Sequence, residues 1–189
     1  MTHPQRPLRA DARRNRERLL DAALKAFSTE AAAEVTLDRV ARDAGVGIGT
    51  LYRHFPTREV LIEEVYRTEL ARLCDAAPRL LADLPPVEAL RAWMDGYIDY
   101  MAAKHGLADA LRVVIAAGGQ PFAQSRARLV GAITELLQAG AGAGLRPDVE
   151  PEDVLVALSG VSLAAGDPAR RAQAGRVLDL LMDGLRQTP

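Results

Sequence analysis

The sequence predicts an all-α protein. Apolar residues recur at the three-to-four spacing of amphipathic helices from one end to the other, alternating apolar and polar runs are almost absent, and alanine and leucine stand where β-branched and aromatic residues would mark strands. No stretch approaches the roughly 20 apolar residues of a membrane helix. The most apolar run, residues 154–166, is short and broken by Ser159, Gly160 and Ser162, as expected of a buried helix. Cys74 is the single cysteine, so neither an internal disulfide nor a cysteine zinc cluster can form. The arginine-rich start, MTHPQRPLRADARRNRER, has no apolar stretch behind it and so differs from a secretory signal. A cytoplasmic protein is expected.

The elements follow in order. A first helix is expected over residues 13–29, where Leu19, Leu20, Ala23, Leu24 and Phe27 share a stripe that Arg18, Asp21 and Lys25 avoid. Thr36 can cap a short second helix with Leu37, Val40, Ala41 and Ala44 inward and Asp38 in the turn its dipole favours, and Gly45 stops it. A third helix, residues 48–55, ends at Pro56, and Thr57 caps a fourth running through REVLIEEVYRTELARL. DLPPVEAL breaks the chain and opens a fifth at a proline, with Leu90, Trp93, Met94, Tyr97, Ile98 and Met101 at helical spacing, closed by Gly106. Further helices are expected over residues 107–117, 122–140, 152–165 and 169–185, the last two separated by GDP. The total is about nine, with no internal repeat.

Charge is unevenly spread. Residues 1–60 hold 11 Lys and Arg against 8 Asp and Glu, and residues 61–189 hold 13 against 17, so the net charge of −1 conceals a +3 segment on a −4 remainder. Six arginines crowd between residues 6 and 18. A basic module on an acidic body points to a local polyanionic partner, the alternative being a solvated face. Arg13, Arg14 and Arg16 fall at the expected start of the first helix, where positive charge opposes the dipole. An outside counter-charge is therefore expected, phosphate being the simplest, with Arg6 and Arg9 of a flexible arm equally placed.

Residues 37–51 read as two helices and a turn. Ala41 is small where the helices cross, Gly45 supplies a left-handed backbone, and Val46 and Leu51 plug the second helix onto the first. Gly47 and Gly49 then remove bulk where a backbone approaches another surface and leave N–H groups toward an anion. Thr50, Tyr52, Arg53 and His54 follow, all with hydrogen-bonding ends. Such a segment is poor as a free-standing helix and good as a probe for a DNA groove. Taken singly, Tyr52 as half-buried core, Arg53 as surface, His54 as packing and Thr36 as a cap are the plainer readings. Together, beside the basic segment, they point to DNA.

The stretch TLDRVARDAGVGIGTLYRHFPTREVLIEEV resembles the N-terminal DNA-binding domain of the TetR family of bacterial transcriptional regulators. The resemblance covers about residues 13–70, the rest agreeing only in general plan. It implies a helix-turn-helix DNA-binding domain with a basic arm, residues 1–58, and an effector-binding and dimerisation domain, residues 59–189. It implies a homodimeric repressor released from a palindromic double-stranded operator when a small-molecule effector enters the second domain. Position by position, it implies phosphate contacts for Thr36, Tyr52, His54 and Arg58, and contacts with bases or the groove floor for Gly47, Gly49, Thr50 and Arg53. Gly47 departs from the serine or threonine of many members, which weakens the helix cap and removes a hydroxyl.

In the second domain Trp93, Met94, Tyr97, Tyr100, Met101 and Phe122 gather much of the aromatic and thioether content. Ordinary core is the plainer reading and the wall of an effector cavity the functional one. Tyr100 falls off the stripe, as a polar handle or plain surface. The last two helices are too apolar for a lone surface pair. Val154, Leu155, Leu158 and Val161, with Val177, Leu178, Leu181 and Leu185, are expected to bury against a second subunit, intramolecular burial being the alternative. A sequence-tolerant architectural DNA binder without an effector is the rival function. Catalysis finds no footing: His3, His54 and His105 are scattered, no HExxH pattern or phosphate loop occurs, and the neighbouring Asp95 and Asp99 read as solvated. No catalytic residue, metal or cofactor is expected.

Overall fold

The computed structural model describes residues 5–164 and 170–187, with the side chains of residues 5–9 and 32 excepted. The GDP turn, Ala165, Ala169 and His3 lie outside the described residues, as do the side chains of Arg6 and Arg9. The described helices are α1 Gln5–Thr29, α2 Leu37–Asp43, α3 Ile48–His54, α4 Arg58–Cys74, α5 Ala76–Asp83, α6 Pro86–Gly106, α7 Ala108–Ala116, α8 Ser125–Gly140, α9 Pro151–Ala164 and α10 Arg171–Leu185, with a 3-10 turn at Ala32–Glu34. The helix absent from the expectation is α5. Pro78 in its first turn has no N–H to return to Cys74, so α4 ends there and a new helix begins.

Helix α1 also starts earlier than expected, because Pro7 in a first turn has no intrahelical partner to lose. Arg13, Arg14 and Arg16 therefore lie beyond the first two turns, where the dipole has little effect. Their counter-charges are internal: Arg13 faces Glu17 at 3.9 Å, Arg14 pairs with Asp11 and Arg16 with Glu64. The expected need for an outside anion at these three residues therefore does not arise.

The chain forms two compact units. Residues 1–68 with 103–121 make one, and residues 69–102 with 122–189 the other, so the first extends past residue 58 into α4 and takes in α7. In the first unit Leu19, Ala23, Phe27, Val40, Leu51, Phe55, Leu61 and Ile62 are buried, packing α1 against α2 and α3. The end of α6 closes onto the end of α1 at Gly106, where an added Cβ would meet the Ser28 Cβ at 2.9 Å.

The second unit packs α5 against α8, α8 against α9 and α9 against α10. Trp93, Met94 and Tyr97 are buried, the Trp93 indole N–H donating to the Leu73 carbonyl at 2.9 Å. Tyr100 is buried too, its ring 6.2 Å from that of Tyr97, and so is not plain surface. It lies seven residues from Trp93, about 20° around the helix from it, and so belongs to the same stripe. Met101 is half-buried and Phe122 exposed. Asp95 and Asp99 are paired, not merely solvated: Arg171 reaches both at 3.0 Å, and Arg91 joins Asp95 to Asp179.

The expected outward stripe of the last two helices is corrected. Val154, Leu155, Leu158, Leu178 and Leu185 are buried within the protomer, Val161 and Leu181 are half-buried, and of that set Val177 alone is exposed. Val156, Leu163 and Leu180 are instead 61%, 71% and 70% exposed. Helix α9 is apolar on most sides, so spacing alone could not say which side its own chain covers.

Candidate nucleic-acid interface

The turn between α2 and α3 is built by its sequence. Thr36 caps α2, its hydroxyl oxygen accepting from the Arg39 N–H at 3.3 Å. Gly45 takes φ +66° at the other end, where its N–H donates to the Arg42 carbonyl and that of Val46 to the Ala41 carbonyl, both at 3.0 Å. That pair of bonds satisfies the last carbonyls of α2 and reverses the chain. Leu51 anchors α3 and is fully buried, while Phe55 closes it.

What α3 leaves outward is Tyr52, at 50% exposure, with Arg53 also exposed and Thr50 and His54 half-buried. Gly47 and Gly49 have open space where a side chain would stand, and neither has a positive φ. Their lack of a side chain is therefore not required by the chain's own packing. It leaves the helix start bare toward solvent.

Two predicted contacts make bonds within the chain itself. Besides capping α2, Thr36 remains exposed. Arg58 turns inward: its guanidinium lies over the Phe27 ring, 4.8 Å from the centroid, and donates to the Val35 carbonyl. Burial pulls its pKa below the ordinary arginine value, against the opposing charge of Glu59. It braces the unit from α4. Spacing missed Arg16, which meets Glu64 across 48 positions of sequence and stacks on Phe55.

A profile of bacterial regulatory proteins of the tetR family matches residues 19–65, from α1 into α4, and one of SbtR-like transcriptional regulators, C-terminal domain, matches residues 85–187. The chain belongs to the TetR family. A TetR transcriptional regulator from Streptomyces coelicolor is 54% identical with a TM-score of 0.87, over 92% of this chain and 99% of that one. A TetR regulatory protein from Mycobacterium vanbaalenii is 36% identical with a TM-score of 0.78, over 96% of this chain and 100% of that one. An HTH-type regulator from Staphylococcus aureus is 38% identical over 63 residues, 33% of this chain and 34% of that protein, so the match spans about a third of that relative. This TetR-family chain is a transcriptional regulator and not an enzyme.

In the second unit of this TetR-family regulator, Trp93 and Tyr97 have satisfied polar ends, the Tyr97 hydroxyl lying 2.9 Å from the Ser159 hydroxyl. The recesses described in that unit are elsewhere. One of about 500 Å³ lies along α6 and α10 beside Val87, Arg91 and Met182, and one of about 130 Å³ lies beside Val161, Gln173 and Val177. Among the described residues no three His, Cys, Asp or Glu side chains gather as a metal site, and no helix is long and apolar enough to cross a membrane.

Proposed function

We propose that the protein is a ligand-responsive repressor that binds a palindromic operator as a homodimer and leaves it when a small molecule binds the second unit. The observation that carries this reading is the two-sidedness of α3: Leu51 is fully buried while Tyr52 is half exposed beside Arg53. Arg53 and Thr50 meet base edges, and Tyr52 and His54 meet phosphates. The bare backbone at Gly47 and Gly49 approaches the groove floor. Thr36 can accept from its own helix and still donate its hydroxyl proton outward, so it remains a phosphate ligand. Arg58, held against Phe27, acts from behind.

The partner subunit covers the stripes that the protomer leaves open. Val156, Gly160 and Leu163 recur at four and three residues on α9, and Val177, Leu180 and Gly184 at three and four on α10, all exposed. Two copies joined there form a four-helix bundle under a twofold axis, which matches an inverted repeat. A small molecule bound in the second unit favours a conformer with lower operator affinity, by linkage. Selection of duplexes from a random-sequence pool, followed by gel shift with candidate ligands, tests the reading. Enrichment of an inverted repeat that a ligand then releases is expected. Equal retention of all sequences would favour an architectural role.

A further inference from the structure

Arg16 joins three helices through one planar group. Its guanidinium, on α1, lies 5.5 Å from the centroid of the Phe55 ring, the residue that closes α3, and pairs with Glu64 on α4. Glu64 also holds Arg67 at 3.3 Å, and Arg67 reaches Glu63 at 2.6 Å. A guanidinium can lay its face on a ring while its edge donates to a carboxylate, which an ammonium cannot do. Phe55 is itself tied to α3, donating its N–H to the Leu51 carbonyl at 2.8 Å.

We propose that Arg16 is a positioning residue for sequence recognition, setting the tilt of α3 through Phe55, and is not a ligand of DNA phosphate. The proposal rests on the DNA-reading role given above to α3. Two observations separate it from a phosphate contact. Its charge is already met by Glu64, and its side chain is 39% exposed where the neighbouring Arg13 and Arg14 stand at 77% and 61%. The need for a brace follows from α3 itself: seven residues, a glycine inside and no side-chain cap at its start. Such a helix has little stability of its own, so its direction is set by its anchors, Leu51 and Phe55. A slackened Phe55 lets Arg53 and Thr50 miss base edges while positive charge still meets phosphate. Recognition of the right sequence then suffers more than attraction to any duplex.

The test uses the full-length protein, the duplex that wild type enriches from a random pool, and a scrambled duplex of the same composition. Failure of wild type to enrich any sequence would sink the DNA-reading role itself, separately from this proposal. Otherwise the ratio of the two affinities is measured for Arg16→Ala, Arg16→Lys and Glu64→Gln at several salt concentrations. Arg112→Ala, an exposed charge on α7, is the control, and circular dichroism verifies folding. The expected result is a ratio lowered about tenfold in Arg16→Ala, as for the loss of one base contact, with little rescue by lysine. The salt slope stays as in wild type, and Glu64→Gln lowers the ratio as well. A phosphate contact predicts the reverse: Arg16→Ala weakens both duplexes alike and reduces the salt slope by about one, while Glu64→Gln strengthens both. That outcome, or an unchanged ratio in all three variants, overturns the proposal. If Arg16→Ala does not fold, the lysine variant and Glu64→Gln decide.

Discussion

The guanidinium of Arg58 rests on the ring of Phe27, 4.8 Å from its centroid, so the first residue of α4 is fastened to the last turn of the unit's longest helix. The same group donates to the Val35 carbonyl in the link before α2. Arg58 thus ties together the elements that frame the turn, from a position where the sequence suggested a phosphate contact.

Replacing Arg58 with alanine removes that stacking and leaves the Val35 carbonyl without this donor. A loss of about 1–2 kcal/mol is expected, discounted for the group's partial exposure. Lysine, which lacks the flat face, recovers less than half. Urea denaturation measures this, and a wild-type midpoint in Arg58→Ala would show that the contact contributes nothing.

Two glycines two residues apart should respond in opposite directions. Gly45 has φ +66°, so Gly45→Ala is expected to destabilise by about 1–2 kcal/mol. Gly47 caps α3 without a side chain, in extended backbone with open space around it. Gly47→Ser is therefore expected to stabilise by a few tenths of a kcal/mol, about what serine gains over glycine as a cap. Thermal melting of both variants checks the signs, and equal destabilisation would refute the account of this turn.

The proposed dimer face separates two kinds of leucine. Leu163→Glu and Leu180→Glu alter side chains about 70% exposed in the protomer and should give folded monomers. Leu158→Glu places a charge where the side chain is fully buried and should abolish folding. Sedimentation with circular dichroism distinguishes them. Dimers that persist in both surface variants would place the interface elsewhere.

Acid should erode the start of α4. The Glu59 carboxyl is held below the usual carboxylate value, first by its own backbone N–H and then by the Thr57 hydroxyl, with Arg58 adding a smaller attraction. A lowered folded pKa contributes stability that is present above the unfolded value and lost as pH falls through the folded one. The melting temperature is therefore expected to fall below about pH 4.5, the ordinary glutamate range, and less steeply in Glu59→Gln than in wild type. Parallel curves would remove Glu59 from the explanation.

Local rules made the frame legible. Thr36 before Leu37 announced a cap, and Gly45 after Ala44 announced the reversal that its positive φ confirms. The spacing of Leu19, Ala23 and Phe27 marked the buried side of α1. What stayed hidden depended on partners distant in sequence. No spacing rule links Arg16 to Glu64, and none tells an arginine at the start of α4 to fold back onto Phe27 instead of reaching outward. On α9 the difficulty was an excess of apolar residues, since several stripes were equally plausible and only packing against α8 and α10 chose among them.

The outward face of α3 is tested most directly by the affinity of Arg53→Ala for the enriched duplex and for its scrambled counterpart, measured by fluorescence anisotropy at fixed salt. Removing a base contact should cost about 1–3 kcal/mol, roughly a five- to hundredfold loss on the enriched duplex, with a much smaller change on the scrambled one. Equal affinities of variant and wild type for the enriched duplex would contradict the assignment of α3 as the element that reads DNA.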